Sequence, residues 1–157
     1  MGSFQIEGGH KLKGAITPQG AKNETLQVLC AVLLTNEKVT ISNIPNILDV
    51  NKLIDLLKSL GVKVNFISKG KYEFQADKVD INFLKSSQYQ KDAKQLRGSV
   101  MLIGPMLSRF GKGSIPRPGG DKIGRRRLDT HFEGLKLLGA NFNYNKEEHL
   151  YEVTAKK

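Results

Sequence analysis

An internal repeat constrains the fold of this chain more than any other feature of its sequence. The segments "KNETLQVLCAVLLTNEKVTISNI" and "NKLIDLLKSLGVKVNFISKGKYEFQA" share their layout with "RGSVMLIGPMLSRFGKGSI" and "DTHFEGLKLLGANFNYNKEEHLYEVTA". Equivalent positions recur at a nearly constant offset: Lys22 and Arg97 lie 75 residues apart, and Gly61 and Gly139 lie 78 apart. The sequence therefore predicts two similar units in series.

In each unit the sequence predicts an apolar helix, a short strand, a long loop, an amphipathic helix and a β-hairpin. The apolar helices are predicted at 22–35 and 97–110, and because they are apolar nearly all round, we expect both to be buried. Pro105 is expected to kink the second helix. Each amphipathic helix ends in Leu-Gly, so Gly61 and Gly139 should adopt the left-handed conformation that closes a helix.

The remaining local signals concern a helix start and a turn. Thr130 and Glu133 have the spacing of a capping box for the second amphipathic helix. The runs 62–67 and 71–76 alternate in polarity around a short Ser-Lys-Gly turn, which predicts a hairpin. The sequence thus predicts a mixed α/β (α+β) architecture of repeated modules, with helices inside and sheets outside.

The positive charge of the chain is local. The formal net charge is +10, and residues 97–127 alone carry eight basic side chains and one acid. This pattern fits a nucleic acid, a membrane surface or an anionic small molecule. The basic residues of that stretch, which coincide with a glycine-rich loop, are Arg97, Arg109, Lys112, Arg117, Lys122, Arg125, Arg126 and Arg127.

Cysteine and histidine, which often serve as nucleophiles, bases or metal ligands, are rare in this chain. Cys30 is the single cysteine and lies in the apolar run "LQVLCAVLL", so we expect a buried, inert thiol. His10 and His149 have no neighbours at metal-ligand spacing, and His131 is interpreted as a helix-start or packing residue. No signal peptide or apolar span of about 20 residues is visible, so we expect a soluble, cytoplasmic protein.

Four motifs in order resemble a known family: "GAKNETL", "NIPNILDV", "LRGSVMLIGPMLSRFG" and "PGGDKIGRRRLDTHFEGLKLLGA". The resemblance covers the whole chain and is to the UDP-N-acetylglucosamine 1-carboxyvinyltransferases, the enolpyruvyl transferases that open bacterial peptidoglycan synthesis. It implies an inside-out α/β barrel (α/β prism), with two of the three modules of one domain present. Residues 1–21 would be a strand segment that pairs with the other domain, 22–90 the first module, and 91–157 the second, with a substrate loop at 111–127.

The resemblance implies a reaction and a catalytic acid. The family transfers the enolpyruvyl group of phosphoenolpyruvate to the 3′-hydroxyl of UDP-N-acetylglucosamine and releases phosphate; no cofactor is implied. A proton must reach the methylene carbon of the enol, and Asp121 occupies the position where many members carry cysteine. Burial would raise the pKa of this carboxyl group and the neighbouring arginines would lower it. Because fosfomycin alkylates the thiol at this position, we expect this chain to be insensitive to the drug.

The resemblance also implies substrate-binding residues. Lys22 and Asn23 would grip phosphoenolpyruvate, and Arg97 would hold the sugar nucleotide or phosphoenolpyruvate. Asp49 is expected to be structural or to lie at the cleft edge, and no certain role follows for Arg125 and Arg127, which depart from common family patterns. The remaining binding positions are Arg126, which meets the anionic substrate, and the sugar-nucleotide stretch Arg127, Leu128, Asp129 and Thr130, with Gly119 and Gly120 letting the loop close.

Two other functions remain open at this point. One is the sister transferase that acts on shikimate 3-phosphate; the other is a basic nucleic-acid-binding domain, although 97–127 contains Phe110 as its only aromatic residue. Family members are well over twice this length and close their cleft with a second domain. We therefore expect negligible turnover by this chain alone, and association with a missing C-terminal part or with itself.

Overall fold

Two antiparallel sheets of three strands each carry the two sequence repeats in the computed structural model, which describes residues 2–116 and 127–156. The first repeat comprises α1 (Lys22–Ala31), a 3₁₀ helix (Val32–Leu34), β1 (Lys38–Ile41), α2 (Leu48–Ser59), β2 (Lys63–Ser68) and β3 (Lys71–Gln75). The second comprises a 3₁₀ helix (Arg97–Leu102), α4 (Ile103–Phe110), β4 (Lys112–Pro116), α5 (Asp129–Leu137), β5 (Ala140–Asn145) and β6 (Leu150–Ala155). The 3₁₀ helix Ile81–Lys85 and α3 (Ser87–Lys94) connect them.

The two sheets have the same topology. Their strand orders are β1-β3-β2 and β4-β6-β5, so the last strand of each repeat lies in the centre. In the first sheet the fully buried Phe74 pairs with Val39 on one side and Val64 on the other. These pairings confirm the predicted repeat and its hairpins.

The predicted ends of the amphipathic helices are confirmed, but the predicted capping box is wrong. Gly61 and Gly139 have φ of 93° and 94°. At the first, the N–H of Gly61 donates to the Lys58 carbonyl at 2.9 Å, in the manner of a glycine-closed helix end. By contrast, α5 begins at Asp129 after Leu128, without a side-chain cap. Thr130 is already the second residue of that helix, so its hydroxyl cannot take the capping position.

The apolar helices are buried on one side, not all round as their composition predicts. Leu29 and Cys30 of α1 are buried, whereas Val28 is 41% exposed. The reason is that α1 packs mainly against α2 and the 3₁₀ helix Arg97–Leu102, which cover only part of its circumference. The second amphipathic helix, α5, is more exposed still, since its described residues include no buried side chain.

Pro105 does not kink a long helix. The predicted helix 97–110 is a 3₁₀ turn followed by α4, and Pro105 is the third residue of α4. Proline is tolerated in the first turn of an α-helix. The predicted single helix is therefore two helical segments that meet between Leu102 and Ile103.

The helical runs of the two repeats lie side by side. The start of the first run, α1, contacts the 3₁₀ helix Arg97–Leu102, and the 3₁₀ helix at its end contacts α4. The two runs are therefore parallel. At their far end the half-buried Arg109 donates through Nη1 to the carbonyls of Leu33 at 3.0 Å and Thr35 at 2.9 Å. We call this contact the Arg109 clamp.

Residues 2–21 form no described helix or strand. Their large apolar side chains are almost fully exposed, with Phe4 at 96% and Leu12 at 98%. The last of these residues before Ala21, Gly20, lies close to the first repeat: a Cβ there would be 1.8 Å from the Asn43 carbonyl oxygen, so only glycine fits this approach. Among the described helices, none has both the length and the apolar composition needed to cross a bilayer.

Candidate functional site

A cleft of about 510 Å³ opens where the two helical runs begin. Its walls are the first turns of α1 and α2, the 3₁₀ helix Arg97–Leu102 and the residues just before α5. We call it the anion cleft for the charge described below. Its described lining residues include five of the predicted site residues: Lys22, Asn23, Arg97, Arg127 and Leu128.

Lys22 and Asn23 reach the cleft because α1 starts with them. Ala21 has extended backbone angles and offers no side-chain cap, and Thr25 donates to the Ala21 carbonyl through its N–H at 3.0 Å and its hydroxyl at 2.8 Å. The N–H groups of the first turn have no intrahelical acceptors, and together with the helix dipole they favour an anion. Two polar side chains therefore lie at a helix end that is suited to negative charge.

Lys22 is anchored across the cleft to the second helix of its repeat. Its Nζ lies 2.9 Å from Oδ2 of Asp49, in the first turn of α2. The two side chains are 48% and 40% exposed. The ion pair is consequently open to a ligand entering the cleft.

Arg97 reaches the same space because Gly98 follows it. A Cβ at Gly98 would lie 3.2 Å from Cδ1 of Leu26 on α1, which is tighter than ordinary carbon contact. A residue without a side chain therefore lets the second helical run approach the first closely. Arg97 thus opens its run in the position that Lys22 has in the first.

Positive charge dominates the described lining of the anion cleft. It contains the cations Lys22, Lys52, Arg97 and Arg127, and one acid, Asp49. Arg127 also pairs with Asp129, whose carboxylate accepts from its Nε. A planar guanidinium can bind carboxylate or phosphate through two parallel hydrogen bonds. The cleft is therefore suited to an anionic ligand.

Sequence reasoning missed several residues of the cleft. Lys52 lies one helical turn after Asp49 on α2, so the i, i+3 spacing could have identified it. Gln27 similarly lies one turn after Asn23 on α1, within a run interpreted as buried. His131, interpreted as a helix-start or packing residue, also lines the cleft.

Other predicted residues are not brought together there. Thr130 lines a separate groove of about 540 Å³, and Asp129 contacts the cleft residue Arg127 without lining the cleft itself. The predicted basic cluster is also divided, since Arg109 forms the clamp at the far end of the runs and Lys112 lies in β4. The predicted acid and loop residues Asp121, Arg126, Arg117, Gly119, Gly120, Lys122 and Arg125 lie outside the described residues.

The separate groove has a different chemical character. Its described lining is mostly apolar and includes Ala31, Pro105, Leu135 and Leu138, with no lysine or arginine. Cys30 also lies beside it and is buried as expected, and this burial raises the pKa of the thiol to about 12. This groove offers little to a polyanion, so the anion cleft is the candidate functional site.

Comparisons with known proteins agree on one group of enzymes. The family model of EPSP synthase (3-phosphoshikimate 1-carboxyvinyltransferase) matches residues 6–157. A UDP-N-acetylglucosamine 1-carboxyvinyltransferase of Bacteroides fragilis is 59% identical over 157 residues, and one of Porphyromonas gingivalis is 54% identical. Each alignment covers all of this chain and 36% of the relative, so the chain spans about a third of the length of the curated relatives it matches.

Solved structures show the same fold at low sequence identity. The enolpyruvyl transferase NikO from Streptomyces tendae matches with a TM-score of 0.74 at 18% identity, over 96% of this chain and 32% of that one. EPSP synthase from Acinetobacter baumannii matches with a TM-score of 0.51 at 11% identity, over 90% and 32%. At such identities the likeness concerns the arrangement of helices and strands.

Proposed function

Because the chain belongs to the EPSP synthase (3-phosphoshikimate 1-carboxyvinyltransferase) family, we propose that it is part of an enzyme that transfers an enolpyruvyl group from phosphoenolpyruvate to the 3′-hydroxyl of UDP-N-acetylglucosamine, releasing phosphate. Its fold is the α/β fold of the enolpyruvyl transferases, as the sequence predicts. The relatives at 54–59% identity bear the name of the UDP-N-acetylglucosamine enzyme, which favours this acceptor over shikimate 3-phosphate.

The observation that carries the proposal is the convergence of Lys22, Asn23 and Arg97 in one cationic cleft. Both proposed substrates are polyanions, and each needs charge neutralisation to enter a partly enclosed site. Lys22 and Asn23 would hold phosphoenolpyruvate at the start of α1. Arg97 would offer its two parallel donors to a carboxylate or phosphate group of either substrate.

Asp121 remains the proposed proton donor. The reaction adds the acceptor hydroxyl to the double bond of phosphoenolpyruvate, which requires a proton at the methylene carbon. A carboxylic acid can supply this proton if it is kept protonated before the reaction. A carboxyl group in place of a thiol also underlies the predicted insensitivity to fosfomycin.

The chain would form one part of a larger, two-domain enzyme. We propose that 22–90 and 91–157 are successive modules, that 1–21 pairs with a further domain, and that the protein acts in the cytoplasm. The cleft would be closed by a partner domain, supplied by a C-terminal part of the same protein or by association. Turnover by this chain alone is accordingly expected to be negligible.

Binding measurements on the chain test the proposal. We expect phosphoenolpyruvate to bind the wild-type chain and Lys22→Ala to weaken that binding by about tenfold, because the cleft loses a charge-assisted contact. Lys58→Ala is the matched control: Lys58 also pairs with an acid on α2, Asp55 at 3.1 Å, but does not line the cleft. Isothermal titration calorimetry measures each dissociation constant.

The acceptor is tested in the same series. UDP-N-acetylglucosamine should bind to the wild-type chain and equally well to the Lys58→Ala control, whereas shikimate 3-phosphate should bind to both at least tenfold more weakly. Equal losses in Lys22→Ala and Lys58→Ala, or tighter binding of shikimate 3-phosphate, would contradict the proposal.

A further inference from the structure

Asp49 is the one acid among the described residues that line the anion cleft, and its position there is unexpected for a site that binds polyanions. It also lies on the ammonium group of Lys22, which the proposed function assigns to the substrate. We infer that Asp49 is an internal competitor of the substrate, holding Lys22 while the cleft is empty and lowering the cleft's affinity for anions. This inference rests on the proposed function.

The geometry makes the ion pair exchangeable. Nζ of Lys22 lies 2.9 Å from Oδ2 of Asp49, and both side chains are close to half exposed. An incoming anion can therefore reach the ammonium group from solvent and exchange with the carboxylate of Asp49.

The position of Asp49 on α2 gives its carboxylate a second source of stabilisation. It is the second residue of a twelve-residue helix. The positive end of the helix dipole favours a negative charge in the first turn. Asp49 can therefore release Lys22 and still lie in a favourable electrostatic environment.

Whether Asp49 strengthens or weakens anion binding depends on two energies: the contribution of its ion pair with Lys22 and its repulsion of the bound anion. An exposed ion pair contributes little to the free energy of unfolding, so loss of Asp49 should leave the fold and the cleft intact. Two oxygens that bind one ammonium nitrogen lie about 5 Å apart, and at that distance two negative charges repel appreciably even in a solvated cleft. Removing the carboxylate should therefore tighten anion binding by about fivefold.

The experiment is a titration of the chain with phosphoenolpyruvate. Asp49→Asn keeps the shape of the side chain and removes its charge, and Asp49→Ser removes the charge with a different side chain. Both should bind about fivefold more tightly than the wild-type chain. Asp55→Asn is the matched control, because Asp55 lies on the same helix and pairs with Lys58 outside the cleft; its effect should stay within about twofold. Circular dichroism verifies that each variant is folded.

A double variant tests whether Asp49 acts through Lys22. If the two compete as inferred, Asp49→Asn should increase affinity less in the Lys22→Ala background than in the wild-type chain. Unchanged or weaker binding by Asp49→Asn and Asp49→Ser, with Lys22→Ala still weakening binding, would overturn this inference and leave the proposed function intact. Absence of Lys22-dependent binding in the wild-type chain would overturn both.

Discussion

At the scale of single residues, burial and pairing determine which ionisable groups are available for chemistry. Cys30 is buried with its pKa raised, and burial also raises the pKa of Tyr89, whose hydroxyl donates to the Ser114 carbonyl at 2.9 Å. These groups keep their protons at neutral pH and support the core. Lys22 and Asp49, by contrast, remain half exposed at the cleft, where a ligand can reach them.

The pair of Lys63 and Asp77 gives a pH-dependent prediction at this scale. Nζ of Lys63 donates to Oδ2 of Asp77 at 2.6 Å. This hydrogen bond holds the pKa of Asp77 below its usual 3.8, against a smaller opposing effect of desolvation and with help from the lysine's charge. A lowered pKa means that the stabilisation is present above the ordinary pKa and is lost as the pH falls through the folded value. Asp77→Asn should therefore destabilise the chain at neutral pH and converge with the wild type in acid.

Urea denaturation at about pH 7 and at about pH 2.5 measures this difference. Asp55→Asn serves as the control, because its exposed i, i+3 pair with Lys58 should contribute little at either pH. A gap between Asp77→Asn and wild type that widens on acidification would contradict the expected sign.

Sequence alone predicted the cleft-lining residues that belong to a recognisable motif. It missed those that line the cleft only because a helical turn places them beside a motif residue. Lys22, Asn23 and Arg97 open helical runs, so their shared position follows from the repeat. Lys52 lines the cleft because it lies one helical turn after Asp49 on α2. The ion pair of Lys22 with Asp49 joins positions 27 residues apart, a distance that no local pattern encodes.

At the scale of elements, periodicity predicted the amphipathic helices and the hairpins well, whereas each predicted apolar helix is an α-helix joined to a 3₁₀ helix. Leu53, Leu57 and Leu60 are fully buried on one face of the predicted amphipathic helix. The connection between the repeats was missed, because α3 is short and mostly polar. Its signals were the Ser86 hydroxyl, which accepts from the N–H of Tyr89, and the spacing of the buried Tyr89 and Ala93. The partial exposure of α1 could not be predicted, since composition does not show how many neighbours a helix has.

The two helix-closing glycines provide a prediction with an internal control. Gly61 and Gly139 have nearly the same φ, so alanine should suffer similar backbone strain at both. A Cβ at Gly61 would also lie 2.4 Å from the Lys78 carbonyl oxygen, whereas nothing lies within 4 Å at Gly139. Gly139→Ala should cost about 1 kcal/mol and Gly61→Ala clearly more. Thermal or urea unfolding compares them, and equal losses would refute the role of the carbonyl contact.

At the scale of the whole molecule, the Arg109 clamp joins the two repeats at the end opposite the cleft. It lies on α4 of the second repeat and binds carbonyls that follow α1 of the first. Since the helical runs are parallel, a contact that holds one end limits how far the other end can shift. The clamp therefore helps maintain the spacing between Lys22 and Arg97.

Replacing the clamp tests this connection. Arg109→Ala leaves two carbonyls without their charged donor and should lower the free energy of unfolding by about 1.5–3 kcal/mol. Arg109→Lys keeps the charge but loses the planar guanidinium, and should recover only part of the loss. Lys58→Ala, which removes an exposed cation, should change stability by less than about 0.5 kcal/mol. Equal stability of Arg109→Ala and Lys58→Ala in urea titrations would show that the clamp is dispensable.

The equivalent placement of Lys22 and Arg97 at the heads of adjacent repeats has an evolutionary implication. Duplication of a gene segment would supply a second cationic helix start without new architecture, because the copy inherits the helix that bears it. Subsequent divergence would then account for a compact ammonium group in one repeat and a forked guanidinium in the other. Two positions that were once identical would in this way come to differ in the shape of anionic group that each can bind.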